Sequence, residues 1–479
     1  MRQNLLAVAA ATLFLTACNA TFSDTSSALL PKTSQPSDKP KNVIMIVSDG
    51  MGPAYTTAYR NFRDNPATPE VEPVIFDRIF VGNASTYPAH ESGFVTDSAA
   101  AATALASGVK SYNGAIGVDV NKQPVKSVLQ QAKALGMKTG IAVTSQIVHA
   151  TPAAYMAHNE SRKNYNEIAE SFYDDKVDGQ FAANVMLGGG TQYFEREDRD
   201  ITAQFIDAGY EYVDTYNKLA TIPAGKDVLG LFAPVGLPWV LDDKRKNRLA
   251  YLTEHAIKHL ENDNGFFLLV EASQVDWAGH ANDIASAMAE MHDLNLTLEY
   301  LYEYVQTHPD TLVVLTADHS TGGLTLGARG EYSWAPEWLK NLSASPTVIA
   351  EQLPQTVDPV AFVSDKLGFA LNEDEAKQVI ALAKLKSTRA IEEGIKTILD
   401  MRTNTGWTTS GHTGVDVEVF AFGKGYESFT GQYDNTDIAK KIFALLPTEM
   451  KAQASDNASE VKSKSAAGQC DFEKDWRCQ

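Results

Sequence analysis

Short, unbroken apolar runs recur from Lys41 onward, each closed by a polar or glycine-rich break. Val43–Val47 stops at Ser48-Asp49-Gly50-Met51-Gly52, and Lys138–Thr144 leads to His149-Ala150-Thr151-Pro152. Phe266–Val270 ends on Glu271, Thr311–Leu315 runs up to Asp318-His319, and Val417–Phe422 follows Gly411-His412-Thr413. Runs of this kind, without polar alternation, predict strands buried on both faces. Helical patterns fall between them, at Ala99–Ser107, Val125–Leu135, Arg248–Glu261 and Ile284–Val305. The expected fold class is α/β, a mostly parallel central sheet flanked by helices on both faces.

Such sheets bind ligands beyond the carboxyl ends of their strands. Asp49, Thr151, Glu271 and the Asp318-His319 pair are expected there. A cap or a turn accounts for any one of them, but four strands delivering metal-type ligands at one end point to a metal site. Asp276 and His280, four residues apart, share one helical face or one tight turn and can reach one cation. A further histidine would complete the N/O set that zinc favours. Three of the 10 histidines, His280, His319 and His412, stand in glycine-rich turns beside carboxylates or threonines. Asp97 or Ser98 opens an alanine-rich helix, and either makes a good N-cap. Ser98 Oγ at the positive end of that helix could be held as an alkoxide by a nearby metal. No Gly-x-Ser-x-Gly elbow surrounds it, so a Ser-His-Asp hydrolase is not supported.

The chain has 479 residues, 44% hydrophobic and 21% charged, which excludes collagen, coiled coil and wholesale disorder. Its formal charge of −19 opposes a nucleic-acid-binding surface or general adhesion to anionic membranes. Residues 1–17 have a positive start and an apolar run over Leu5–Leu15. That run is shorter than the ~20 residues a membrane span needs, so it reads as a signal peptide. Leu15-Thr16-Ala17-Cys18 resembles a bacterial lipobox, which makes Cys18 the expected lipidation site. Residues 18–40 read as a flexible tether and 448–479 as a polar tail, in which Cys470 and Cys478 either pair or stay free. The expectation is an exported domain, lipid-anchored to a bacterial membrane and either periplasmic or at the cell surface. Between His319 and His412 lie 92 residues, long for one crossover, so about 328–405 reads as an insertion in a catalytic domain spanning 41–447. A helix is expected there over Glu373–Leu382.

The ordered motifs Val47–Gly52, Asp97–Ala100, Asn113–Gly117, His149–Ala153, Glu271–Ser273, Thr316–Ser320 and Gly411–Gly414 resemble those of alkaline phosphatases. The resemblance runs from about Lys41 to about Leu446. It implies a phosphate monoester hydrolase with two zinc ions, one magnesium ion and Ser98 as the nucleophile that forms a phosphoserine. By the same resemblance Asp276, His280 and His412 hold the first zinc, and Asp49, Asp318 and His319 the second. Asp49, Thr151 and Glu271 line the magnesium site. Arg162 grips two phosphoryl oxygens, as a guanidinium fork can. Three divalent ions and Arg162 outweigh the four carboxylates, so a phosphate dianion is attracted inside an acidic domain. The expected substrates are small phosphomonoesters, and the resemblance also implies a homodimer.

Two positions depart from one bacterial branch of that family, which has an aspartate at the position of His149 and a lysine at that of Trp277. His149 then borders the magnesium ligands, and Trp277 borders the substrate. Neutral imidazole suits zinc-like metals better than magnesium, so the third site is expected to bind magnesium loosely or accept zinc. The alternatives are a phosphodiesterase or sulfatase of the same superfamily, and a non-catalytic lipoprotein that binds metal or phosphate.

Overall fold

The computed structural model describes residues 39–447. The expected signal peptide, Cys18, nearly all of the tether, and the tail with Cys470 and Cys478 lie outside the described residues.

Ten strands form one sheet: β1 Asn42–Ser48, β2 Phe80–Ser85, β3 Lys138–Gln146, β4 Val185–Gly189, β5 Glu211–Val213, β6 Val228–Leu231, β7 Phe266–Ala272, β8 Thr311–Thr316, β9 Val417–Gly423 and β10 Gly431–Asp434. Their order across the sheet is β10-β2-β9-β8-β1-β7-β3-β4-β6-β5. All run the same way except β9, which is antiparallel to both β8 and β2. Every residue of β1, β7 and β8 is buried, as the unbroken apolar runs require. Each large apolar side chain there contributes about 1.5–3 kcal/mol over leaving it in water. The sheet centre is thus the rigid frame from which the site is hung.

The helices follow the sequence pattern, with shifted ends. The expected Val125–Leu135 helix starts later, at Val128, because Ser127 and Gln130 form a reciprocal cap (Gln130 N to Ser127 Oγ 3.1 Å, Ser127 N to Gln130 Oε1 3.0 Å). The long helix runs Ile284–Thr307, and its neighbour Arg248–Leu260 packs on it and on β3. The stretch 328–405 adds no strand to the central sheet. It carries helices Pro346–Gln352, Pro359–Leu367, Glu373–Leu382 and Thr388–Thr403. Among the described residues no helix is long and apolar enough to cross a membrane.

Candidate active site

Four adjacent central strands, β8, β1, β7 and β3, deliver their side chains at one pole. Val47 on β1 lies level with Thr316 on β8 and with Glu271 on β7. Asp49 follows β1, Asp318 and His319 follow β8, and His149 and Thr151 follow β3. Glu271 departs from the expectation: it is the sixth residue of β7, inside the strand. The chain turns at Gly50 (φ +75°), where a Cβ would lie 2.6 Å from the Cα of Asp276. Only glycine lets this turn close on the Asp276 helix. There its N–H donates to Asp318 Oδ1 at 3.0 Å.

Asp276 and His280 lie on helix Gln274–Ala281, directly after β7. Their spacing puts His280 Nε2 3.3 Å from Asp276 Oδ2. His412 comes before β9 in sequence, yet reaches the same pole because β9 runs backwards. Its Nε2 is 3.1 Å from His280 Nε2 and 3.7 Å from Asp276 Oδ1. The imidazole of His412 is oriented by its Nδ1, which donates to Thr96 O at 2.8 Å. In the second group His319 Nε2 is 3.1 Å from Asp318 Oδ2 and 3.4 Å from Asp49 Oδ1. Thr321, which the sequence reading missed, joins the two groups by donating to Asp276 Oδ1 and lying 3.2 Å from His319 Nδ1.

The third group gathers Asp49, Thr151 and Glu271, with His149 Nδ1 4.0 Å from Glu271 Oε1. Both Asp49 oxygens, Thr151 Oγ1, Glu271 Oε1 and His149 Nδ1 are buried without a hydrogen-bond partner. Buried polar atoms are rarely left so, and a knot of carboxylate and hydroxyl oxygens suits a hard divalent cation. The first two groups mix imidazole with carboxylate, which suits zinc. The residues present therefore fit the metals the family implies. Asp49, His149 and Glu271 bring ligand atoms within 4.8 Å of one another, as do Asp49, Asp318 and His319, and Asp276, His319 and His412.

Ser98 is the first residue of helix Ser98–Ser107, and the N-cap is Asp97, whose Oδ1 accepts from Ala100 N at 3.0 Å. Ser98 Oγ is thus free of capping and lies 3.2 Å from His319 Nε2. Arg162 Nη1 donates to Asp97 Oδ2 at 3.0 Å and Nη2 to His149 Nε2 at 3.1 Å. An arginine only donates, so His149 Nε2 is the acceptor and Nδ1, facing Glu271, carries the proton; in that state His149 borders the third group and leaves Asp49, Thr151 and Glu271 to hold a cation. Trp277 meets the His149 ring edge-on at 6.0 Å.

The electrostatics follow from packing carboxylates out of water. Burial, reinforced by Asp318, Asp276 and Glu271, holds Asp49 well above the usual carboxylate range. Burial likewise raises Glu271 to about 8. Burial also disfavours the charged form of Asp276, but His280, His319 and His412 overcome it and hold Asp276 low. His149 is pushed down to about 3 by burial and by Arg162, so it is neutral at any working pH.

The alkaline phosphatase family model matches residues 40–448. Alkaline phosphatase 3 of Bacillus subtilis is 45% identical over 421 residues, covering 86% of this chain and 90% of its own length. The crystal structure of a cold-active alkaline phosphatase from Shewanella sp. superposes with a TM-score of 0.81 at 52% identity, over 85% of this chain and all (100%) of that one. The Antarctic bacterium TAB5 enzyme, in a His-to-Asp mutant with Mg bound in the M3 site, matches with a TM-score of 0.63 at 28% identity over 85% of this chain and 98% of that one. With its sheet, its ligand groups and these relatives in agreement, the chain belongs to the alkaline phosphatase family of metal-dependent phosphate monoester hydrolases.

Proposed function

We propose that the chain hydrolyses small phosphomonoesters through a phosphoserine at Ser98, with zinc at the Asp276/His280/His412 and Asp49/Asp318/His319 groups and magnesium at Asp49/Thr151/Glu271. The observation that carries this reading is the position of Ser98 Oγ, free of its helix cap and 3.2 Å from His319. Bound metals would supply the positive charge that stabilises attacking and leaving oxygens. Ser98 gains further from the helix end it occupies, whose unpaired N–H groups favour an oxyanion. Arg162, steadied by Asp97 and His149, presents a preset fork to two phosphoryl oxygens. Trp277, edge-on against His149, is read as a neighbour of the substrate. The lipid anchor at Cys18 and export rest on the leader sequence, and a homodimer on the family resemblance.

The test is metal content together with turnover of p-nitrophenyl phosphate, its methyl diester and the corresponding sulfate. We expect zinc and magnesium in the purified protein, preference for the monoester, and loss of turnover on chelation that zinc restores. Faster cleavage of the diester or sulfate, or turnover that survives chelation, would overturn the reading.

A further inference from the structure

Helix Thr388–Thr403 and the loop that leads to His412 enclose a cavity of about 550 Å³, with His280 in its wall. That volume is in the range of small-molecule sites. The helix offers it one face, on which Arg389, Glu392, Glu393, Lys396 and Asp400 recur at helical spacing. Two bonds tie this wall to the metal-ligand groups. Ser410 O accepts from His280 Nδ1 at 2.6 Å, and Lys396 Nζ donates to Ala281 O at 2.6 Å. The side chain of His280 is 42% exposed, against 13% for His412 and 1% for His319. His280 is therefore the most open of these three imidazoles and the wall that the cavity shares with the metal-ligand groups.

Both cations of the cavity already have a carboxylate each, and its third carboxylate, Asp400, is bonded to an indole. Arg389 pairs with Glu393 at 3.0 Å and Lys396 with Glu392 at 3.2 Å, while Asp400 accepts from Trp407 Nε1 at 3.2 Å. The Trp407 benzo ring is fixed against Gly322, where a Cβ would lie 2.7 Å from its Cε3. An ionic guest would meet charges that already have partners. Hydroxyls can both donate to the carboxylates and accept from the cations, and the indole gives a rigid apolar wall for a carbon skeleton.

We propose that this cavity receives the alcohol half of the phosphomonoester, and that the alcohol it fits is a neutral polyol or sugar. The proposal rests on the monoesterase reading at Ser98. Its test compares kcat/KM of the holoenzyme for a hexose monophosphate and for p-nitrophenyl phosphate, before and after Arg389→Ala/Glu393→Ala. Arg389 and Glu393 are 89% and 56% exposed, so their truncation leaves the fold intact. The expected result is a fall of about tenfold for the sugar ester, the scale of a lost hydrogen bond to a charged group, and it should reside in KM. Hydrolysis of p-nitrophenyl phosphate should fall by less, because its aromatic ring makes none of those bonds, so the ratio of the two esters shifts against the sugar ester. If both esters are hydrolysed and their ratio does not move, the cavity assignment falls while the Ser98 reading stands. If the unmutated enzyme releases phosphate from neither ester, both fall.

Discussion

Truncating Arg162 isolates phosphate binding from folding. Its backbone N–H donates to Gly114 O at 2.8 Å, a bond that Arg162→Ala retains, so the loop should hold its course. The side chain is 21% exposed and its Asp97 partner 22%, so the pair is largely shielded from water and its loss costs the fold about 1.5–3 kcal/mol, which a Tm measured alongside separates from the loss of phosphate binding. Asp97 keeps its bonds from Ala100 N and Gly114 N, at 3.0 and 3.1 Å, and continues to cap the Ser98 helix. A second loss should appear at the phosphoryl group. Removing a charged hydrogen-bonding group costs about 1.5–3 kcal/mol, which is roughly 10- to 150-fold in affinity. Competitive inhibition by inorganic phosphate measures it directly. Arg162→Ala also leaves the Asp97 charge beside the phosphate without its counter-ion. Asp97→Asn, which can still cap the helix, should therefore strengthen phosphate binding in the Arg162→Ala background and weaken it in the original one. An inhibition constant for phosphate that Arg162→Ala leaves unchanged would refute the clamp.

Further outcomes follow from the third group. His149→Asp should raise magnesium affinity, seen in titrations of metal-depleted protein, because it sets a carboxylate among the oxygens of Asp49, Thr151 and Glu271; superimposable curves would refute this. In metal-free protein Glu271 titrates near 8 rather than at its ordinary 4.5, so the folded state binds more protons than the unfolded one between those values. Stability contributed by this group is present below 4.5 and lost as pH rises towards 8. The Tm of chelated protein should accordingly fall over that window and the stabilisation by added metal should grow, whereas a Tm that rises there would contradict the assignment.

The central sheet could be read from the chain because β1, β7 and β8 are covered on both faces, which leaves unbroken apolar runs. The edge gave no such signal. β2 alternates between buried and half-buried positions, and β5 and β6 are only three and four residues long. Asp49 and Asp318 could be found because they close apolar runs, and Asp276 with His280 because their spacing is one helical turn. His412 was marked only by its glycine-rich turn and the family resemblance: its place beside Asp276 depends on β9 running against its neighbours, which a mostly parallel expectation does not contain. The choice between Asp97 and Ser98 as N-cap also needed coordinates, since both residue types cap well. Thr321 bridges two ligand groups brought together only by the fold, so its spacing in sequence carried no sign of that role.

The most direct test of the account is to trap the covalent intermediate. The holoenzyme would be quenched in acid during turnover of a labelled phosphomonoester, and the labelled peptide sequenced. Phosphate is expected on Ser98, and none after Ser98→Ala, a variant that keeps its fold because Asp97 supplies the helix cap. Phosphate on another residue, or full turnover by Ser98→Ala, would contradict the account.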